Sequence, residues 1–211
     1  MREFKLPSIY PITDPYISGI SHVEQVERLI DGGATLIQLR DKRASPRDFY
    51  NEATSAVLLA KRKGVSIIIN DRVDIALALK ADGVHLGQQD MPPEAARKVL
   101  GRDAIIGYST HTADQVRNAR SMPIEYIGFG PIFQTSTKDD PDAVVGLEGL
   151  RDICEIADGL PVVAIGGISP NKLPSVFATG ADSAAMIGAI LAKPETIASS
   201  LQDLLSVKDR Y

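Results

Sequence analysis

The chain has 211 residues and a formal net charge of −4, with 44% hydrophobic and 24% charged residues, which is enough apolar material for a substantial core. The mild acidity and the lack of a basic block argue against binding to nucleic acid or to a membrane surface, and no apolar run is long enough to span a membrane. The single cysteine excludes an intramolecular disulfide and the first residues lack the apolar run of a signal peptide, so we expect a cytoplasmic protein.

Short apolar runs rich in β-branched residues alternate along the whole chain with longer amphipathic runs. The apolar runs predict strands at 8–12, 35–39, 66–69, 83–86, 104–107, 126–129, 161–165 and 183–186. The amphipathic runs predict helices at 21–31, 46–63, 73–80, 92–100, 112–120, 146–157, 170–179 and 194–207. Ser21, Ser45 and Ser169 stand at helix starts, where a hydroxyl can cap the first turn.

Eight successive strand–helix units without a long linker predict one α/β domain over residues 1–211. Eight is the number of units that closes a (β/α)8 TIM barrel, and this is the predicted fold. A doubly wound open sheet is the alternative. The turn after the first strand, Thr13-Asp14-Pro15, lacks the glycine-rich fingerprint that a dinucleotide-binding sheet carries there.

Charged residues follow the second, third and fourth predicted strands, and the active site of a TIM barrel lies at these carboxyl ends. Gln38, Arg40 and Lys42 alternate along the second strand end, so all three can point into the barrel mouth. Asp71 and Asp90 follow the next two strands, and carboxylates with few softer ligands nearby suit Mg²⁺. The alternative is that each aspartate caps the helix after it.

The segment after the sixth predicted strand carries hydroxyls at Thr135 and Thr137 and a cation at Lys138. In extended backbone, residues two apart face the same side, so both threonines can contact one phosphate ester. An ordinary polar surface loop is the alternative for this segment taken alone.

Glycines follow the seventh and eighth predicted strands, at Gly166-Gly167 and at Gly188, each shortly before a helix start. Backbone N–H groups can approach an anion closely at such positions, as in the usual phosphate site of a TIM barrel. Together with the cations, these positions predict a diphosphate with Mg²⁺ on one side of the mouth and a separate phosphate on the other.

None of the strand ends carries a Ser–His–Asp or Cys–His arrangement, and no His/Cys cluster has zinc-ligand spacing. We expect His85 to pack within its strand, His22 to lie on a surface helix and Cys154 to be a buried structural thiol. His111 is the one candidate acid or base, with capping or packing as the alternative.

Six segments together resemble the thiamine phosphate synthase family: Q-L-R-D-K at 38–42, N-D at 70–71, H-L-G-Q-x-D at 85–90, S-x-H at 109–111, G-x-G-P-x-F-x-T-x-T-K at 128–138 and A-I-G-G-I at 164–168. The resemblance covers almost the whole chain in order. It implies a (β/α)8 barrel that joins 4-amino-2-methyl-5-hydroxymethylpyrimidine diphosphate to 4-methyl-5-(2-phosphoethyl)thiazole. The implied products are thiamine phosphate and diphosphate, and Mg²⁺ is the implied cofactor.

The resemblance also implies roles for individual residues. The residues implied to hold the pyrimidine diphosphate are Gln38, Arg40, Lys42, Asn70, Ser109 and Lys138, of which Arg40, Lys42, Ser109 and Lys138 are implied to be catalytic. The implied Mg²⁺ ligands are Asp71 and Asp90, and the thiazole phosphate is implied to bind Thr135, Thr137, Gly167, Ile187 and Gly188. The implied mechanism is dissociative: diphosphate leaves, a pyrimidine-methyl cation forms, and the thiazole nitrogen captures it.

The chain departs from the family pattern at Gly188, where members often have serine, so one phosphate hydrogen bond worth about 1–3 kcal/mol is missing or replaced. Two rival functions share this barrel: the sister thiazole tautomerase, with His111 as its acid or base, and a non-catalytic sensor of phosphorylated ligands. Thr135, Thr137 and Lys138 argue against the tautomerase, and the two aspartates argue against a sensor. The implied partners are small phosphorylated molecules, and we assign no oligomeric state.

Overall fold

Eight parallel strands close into a barrel in the computed structural model, which describes residues 4–135 and 143–208. The strands are β1 (Ile9–Thr13), β2 (Leu36–Leu39), β3 (Ser66–Asn70), β4 (Gly83–Leu86), β5 (Ile105–Thr110), β6 (Tyr126–Phe129), β7 (Val162–Ile165) and β8 (Ser183–Met186). Each strand pairs with the next in sequence, and β8 pairs with β1, with Tyr10 beside Ala185. The predicted (β/α)8 barrel is confirmed and the open sheet is excluded.

Helices surround the barrel between successive strands. They are α1 (Pro15–Ser18), α2 (His22–Asp31), α3 (Pro46–Lys63), α4 (Val73–Leu79), α5 (Pro93–Leu100), α6 (Ala113–Ala119), α7 (Gly146–Ala157), α8 (Leu173–Phe177), α9 (Gly188–Leu191) and α10 (Ile197–Lys208). Short 3-10 turns at Pro170–Lys172 and Pro194–Thr196 precede α8 and α10. The helices α1 and α9 are not predicted from the sequence, because four residues are too few to show a helical period.

Helix starts follow the predicted capping chemistry at two of three serines. Ser21 accepts from the backbone N–H of Glu24, and the Glu24 side chain accepts from the Ser21 backbone, which completes a capping box. Ser45 accepts from the N–H of Asp48 and is followed by Pro46. The prediction for Ser169 is wrong, because its hydroxyl bonds the Asn171 side chain at 2.6 Å and makes no capping hydrogen bond.

The core has two layers, one inside the barrel and one between the barrel and the helices. The inner layer contains Tyr10, Ile12, Leu36, Ile68, Tyr126, Val163 and Ala185. Burial of each large apolar side chain stabilises the fold by about 1.5–3 kcal/mol. Within residues 4–135 and 143–208, no helix combines the length and apolar character needed to cross a membrane. Because the strands are parallel, all their carboxyl ends lie at one rim of the barrel.

Candidate active site

A cavity of about 800 Å³ opens at the carboxyl ends of the strands and takes side chains from all eight of them. It brings together most of the residues singled out in the sequence: Gln38, Arg40, Lys42, Asn70, Asp71, Asp90, Ser109, Thr135, Gly167, Ile187 and Gly188. Thr137 and Lys138 lie outside the described residues. The strand ends that the sequence pattern identified therefore converge on one concave site.

The Arg40 guanidinium is held by Asp14, which follows β1. Arg40 Nη1 donates to Asp14 Oδ2 at 2.5 Å, and both side chains are mostly buried. The other carboxylate oxygen of Asp14 caps α1, and its backbone N–H donates to the buried Gln25 side chain at 3.0 Å. Because both carboxylate oxygens and the backbone N–H of Asp14 are hydrogen-bonded, Asp14 holds one edge of the Arg40 guanidinium at the cavity wall.

The structure corrects the expectation for His22, which is fully buried at the start of α2 rather than on the surface. Its Nδ1 lies 2.8 Å from Thr13 Oγ1, and its Nε2 lies 4.0 Å from an Asp41 carboxylate oxygen. Burial lowers the pKa of His22 to about 4, so the ring is neutral at pH 7. Thr13 Oγ1 also accepts from the Arg40 N–H at 3.3 Å, so His22 supports the end of β2 from behind.

Lys42, Asp71 and Asp90 form a charged cluster at the ends of β2 to β4. Lys42 Nζ is ion-paired with Asp71, and Asp90 accepts from the Gly87 N–H at 2.6 Å. Burial, followed by the nearby charge of Asp71, raises the pKa of Asp90, so the two carboxylates interact. Asp71 adopts a left-handed backbone with φ of +60°, which aspartate tolerates better than most residues.

The capping alternative for these aspartates is not supported. The helix α4 begins after Arg72 and α5 after Pro92, and in the described part of the chain neither start has a side-chain capping bond. No group of three or more His, Cys, Asp or Glu side chains is placed to hold a metal within the described ranges. Two carboxylates facing a cavity fit Mg²⁺, which binds one or two protein carboxylates and completes its shell with water and phosphate oxygens.

A continuous chain of hydrogen bonds crosses the cavity floor and joins Gln38 to Ser109. Gln38 Nε2 donates to Tyr10 OH at 3.1 Å, and Tyr10 OH lies 3.0 Å from Tyr126 OH. Tyr126 OH lies 3.1 Å from His85 Nδ1, and His85 Nε2 lies 2.9 Å from Ser109 Oγ. Burial raises the pKa of both tyrosines and lowers the pKa of His85 to about 4. At pH 7 every side chain in this series of hydrogen bonds is therefore uncharged.

The opposite side of the cavity is made largely of backbone. Gly166 and Gly167 follow β7 with φ of +100° and +64°, a region that favours glycine. A Cβ on Gly167 would lie 2.3 Å from the carbonyl oxygen of Gln134, so the two loops touch directly here. Gly188 begins α9 with open space around it. Backbone N–H groups at such positions can contact an anion closely.

Comparisons with known proteins bear on the whole chain. Residues 9–190 match the family model described as thiamine monophosphate synthase. The thiamine-phosphate synthase of Clostridium novyi is 48% identical over 184 residues, which are 87% of this chain and 90% of the relative. That of Persephonella marina is 40% identical over 205 residues, or 97% of each chain. A solved structure titled thiamine phosphate pyrophosphorylase from Pyrococcus furiosus superposes with a TM-score of 0.86 at 36% identity and covers 96% of both chains.

The chain belongs to the thiamine monophosphate synthase family. The resemblance read from the six sequence segments is thereby confirmed, and so is the placing of the chain among enzymes of thiamine phosphate synthesis.

Several polar groups around this synthase cavity are not predicted from the sequence. The sequence predicts only a turn at Asp14, although an aspartate directly before proline is also a signal for the start of a helix. Tyr10 and Tyr126 read as apolar strand residues, and His85 was expected to pack, which it does through hydrogen bonds to Tyr126 and Ser109. Gln88 belongs to the H-L-G-Q-x-D segment, but the sequence does not indicate that it donates to the Ser109 carbonyl, as it does at 2.6 Å.

His111 lines the same cavity. Its Nδ1 donates to the Gly130 carbonyl at 2.8 Å, and its backbone N–H donates to Gln115 at 2.7 Å. One ring nitrogen is thus bonded to the backbone that follows β6. The structure therefore supports the packing alternative for this nitrogen, and the ring as a whole still reaches the cavity.

Proposed function

We propose that this protein joins 4-amino-2-methyl-5-hydroxymethylpyrimidine diphosphate to 4-methyl-5-(2-phosphoethyl)thiazole and releases thiamine phosphate and diphosphate. One observation carries the proposal beyond family membership. The cations and carboxylates at the ends of β2 to β4 face, across one cavity, the glycine-rich backbone at the ends of β7 and β8. A site with two separate anion-binding sides suits a reaction between a diphosphate and a monophosphate.

The pyrimidine diphosphate binds on the side of β2 to β5. Arg40 and Lys42 contact the diphosphate oxygens, and Gln38, Asn70 and Ser109 supply hydrogen bonds to the same substrate. Lys138, which lies outside the described residues, is assigned to this substrate by its motif. Support comes from the shared lining of the cavity by Gln38, Arg40, Lys42, Asn70 and Ser109.

Asp71 and Asp90 would hold Mg²⁺, and their close approach at the neighbouring ends of β3 and β4 supports this assignment. When bound, the ion neutralises negative charge on the diphosphate. Lys42, already paired with Asp71, brings a further positive charge to the same place.

The reaction is dissociative, and the fixed charges assist departure of the leaving group. Arg40 and Lys42 stabilise the diphosphate as the carbon–oxygen bond breaks and electrons move onto the leaving oxygen. The resulting pyrimidine-methyl cation is captured by the thiazole nitrogen, whose lone pair forms the new carbon–nitrogen bond. A neutral ring nitrogen carries no proton that must be removed, so this step needs no general base.

The thiazole phosphate binds on the side of β6 to β8. Thr135 supplies a hydroxyl, and the backbone at Gly167, Ile187 and Gly188 supplies N–H groups to the phosphate. Thr137 is assigned to the same phosphate by its motif and lies outside the described residues. This division places the two reacting centres between the two sides of the cavity, in a cytoplasmic enzyme whose partners are small phosphorylated molecules.

The test mixes purified protein with both substrates and Mg²⁺ and measures thiamine phosphate and diphosphate. We expect thiamine phosphate and diphosphate to form in equal amounts. Binding of either substrate without product would instead favour a sensor. His111→Ala separates the remaining rival: we expect the coupling rate to fall far less than with Arg40→Ala, whereas conversion of the thiazole alone, abolished by His111→Ala, would favour the tautomerase.

A further inference from the structure

The hydrogen-bond chain on the cavity floor has a direction, because the amide nitrogen of Gln38, which makes its first bond, can only donate. The Gln38 amide nitrogen carries hydrogens and no lone pair for acceptance, so Tyr10 OH accepts from it. Tyr10 OH has one proton, and its remaining partner is Tyr126 OH, so we assign Tyr10 as the donor to Tyr126 and, by the same reasoning, Tyr126 as the donor to His85 Nδ1. A neutral His85 consequently carries its proton on Nε2 and donates to Ser109 Oγ.

This direction determines what both ends of the chain offer to a ligand. The Gln38 amide nitrogen donates to Tyr10, which leaves the carbonyl oxygen of this cavity-lining residue to accept from a ligand. Ser109 Oγ already accepts from His85, so its hydroxyl proton is available to donate. Reversing the Gln38 amide would reverse every bond in the chain and exchange these two properties.

We infer that Tyr10, Tyr126 and His85 are positioning residues that couple the two ends of this chain, holding Gln38 as an acceptor and Ser109 as a donor. The inference rests on the proposed function and adds a basis for substrate selection to it. An aminopyrimidine presents an exocyclic N–H donor, which Gln38 accepts. A diphosphate presents oxygen acceptors, to which Ser109 donates.

The surrounding packing holds the chain in place. The Tyr126 ring stacks on Phe4 at 6.0 Å and on His85 at 5.5 Å between ring centroids, each at an interplanar angle of 26°. Tyr10 meets the Tyr126 ring edge-on at 84°. A Cβ on Gly107 would lie 2.1 Å from Tyr126 Cζ and 2.5 Å from His85 Nδ1. The absence of a side chain at Gly107 thus leaves the space in which Tyr126 and His85 meet.

The inference is tested with Tyr126→Phe and Tyr10→Phe, which remove one hydroxyl each and keep the rings. For both variants we expect kcat/KM for the pyrimidine diphosphate to fall about ten- to a hundredfold, since a hydrogen bond to a charged ligand is lost or misdirected. The KM for the thiazole phosphate should stay within about twofold of the wild type, which is the ordinary spread for a site untouched by the change. Tyr50→Phe is the control for loss of a tyrosine hydroxyl, because Tyr50 is exposed on α3 and does not line the cavity.

A double-mutant cycle separates positioning from a merely structural role. If Tyr126 acts partly through Ser109, its loss should cost at least about threefold less in a Ser109→Ala background than in the wild type. Thermal unfolding of each variant shows whether it folds. If Tyr126→Phe does not fold, Tyr10→Phe provides the test. Unchanged kcat/KM in the folded variants, or fully additive losses in the cycle, would overturn the inference while wild-type activity stands. A wild type that makes no thiamine phosphate would overturn the proposed function itself, and the inference with it.

Discussion

The two sides of the cavity bind anions in different ways. The side-chain half, at the ends of β2 to β4, consists of Arg40, Lys42, Asp71 and Asp90, each already paired: Arg40 with Asp14, Lys42 with Asp71, and Asp90 with the Gly87 N–H. The backbone half, at the ends of β7 and β8, consists of glycine-rich turns around Gly167 and Gly188. Charge is concentrated in one half and close backbone approach in the other.

This difference predicts how each half fails. In the side-chain half, removal of one member of an ion pair leaves the other charge uncompensated, so losses should be large and coupled. In the backbone half, there is little side chain to remove, and damage comes from adding a Cβ where two loops touch.

Asp71→Ala should lower the coupling rate by at least about a hundredfold at ordinary Mg²⁺ concentrations, because it removes a proposed metal ligand and leaves Lys42 unpaired. The measurement is the rate as a function of Mg²⁺ concentration, with thermal unfolding as the check on the fold. Coupling that is undiminished in this variant would remove Asp71 from the metal site.

Gly167→Ala should raise the KM for the thiazole phosphate by about tenfold or more, because the added Cβ meets the Gln134 carbonyl at 2.3 Å and strains a backbone with positive φ. The KM for the pyrimidine diphosphate should change little. Gly64→Ala is the matched control, since Gly64 has φ of +72° but open space around it. Equal effects from both variants would mean that general strain, rather than the loop contact, matters.

Asp14→Asn should raise the KM for the pyrimidine diphosphate by about five- to tenfold, because Arg40 loses its charged anchor while asparagine still caps α1. Asp74→Asn is the control, since Asp74 pairs with Arg72 at the same 2.5 Å on an exposed helix start, and neither residue lines the cavity. A lower KM in Asp14→Asn would show that Asp14 weakens Arg40 rather than orienting it.

We expect the stability of the fold to fall in acid because of His22, the buried residue that supports the end of β2. Its folded pKa of about 4 lies below the ordinary 6.5, so the unfolded chain binds more protons between these values and stability falls as pH drops through this window. This residue alone should lower the free energy of unfolding by about 2 kcal/mol at pH 5 relative to pH 8. Denaturant unfolding of wild type and His22→Gln should show a flatter pH dependence in the variant, and identical slopes would refute the assignment.

Gly188→Ser should have the smallest effect, lowering the KM for the thiazole phosphate by a few-fold, about the value of one added hydrogen bond to a phosphate. The site around Gly188 is open and its φ is not positive, so a side chain fits without strain. Gly188→Ala supplies the Cβ without the hydroxyl and should stay close to the wild type. A gain shared by both variants would point to helix propensity rather than to the hydroxyl.

Features that depend on the local order of residues could be predicted from the sequence, and features that depend on distant contacts could not. The number of strand–helix units, eight, identified the barrel. Because residues two apart on a strand share a face, the sequence also placed Gln38, Arg40 and Lys42 in the barrel mouth. The pairing of Tyr10 with Tyr126 could not be predicted, because the two hydroxyls meet across 116 residues of chain through closure of the barrel.

Burial at helix starts was equally hidden from the sequence. His22 looked exposed because it begins an amphipathic helix, yet its ring is enclosed between Thr13 on β1 and Phe49 on α3. That enclosure depends on how α2 packs against β1 and α3, and it cannot be predicted from the pattern of residues within α2.

The division of the cavity into two halves is tested most directly by measuring the binding of each substrate, alone and by calorimetry, to Arg40→Ala and Gly167→Ala. A crossed pattern is predicted: Arg40→Ala loses affinity for the pyrimidine diphosphate and keeps that for the thiazole phosphate, and Gly167→Ala does the reverse. Loss of the same substrate in both variants, in proteins that remain folded, would contradict the division.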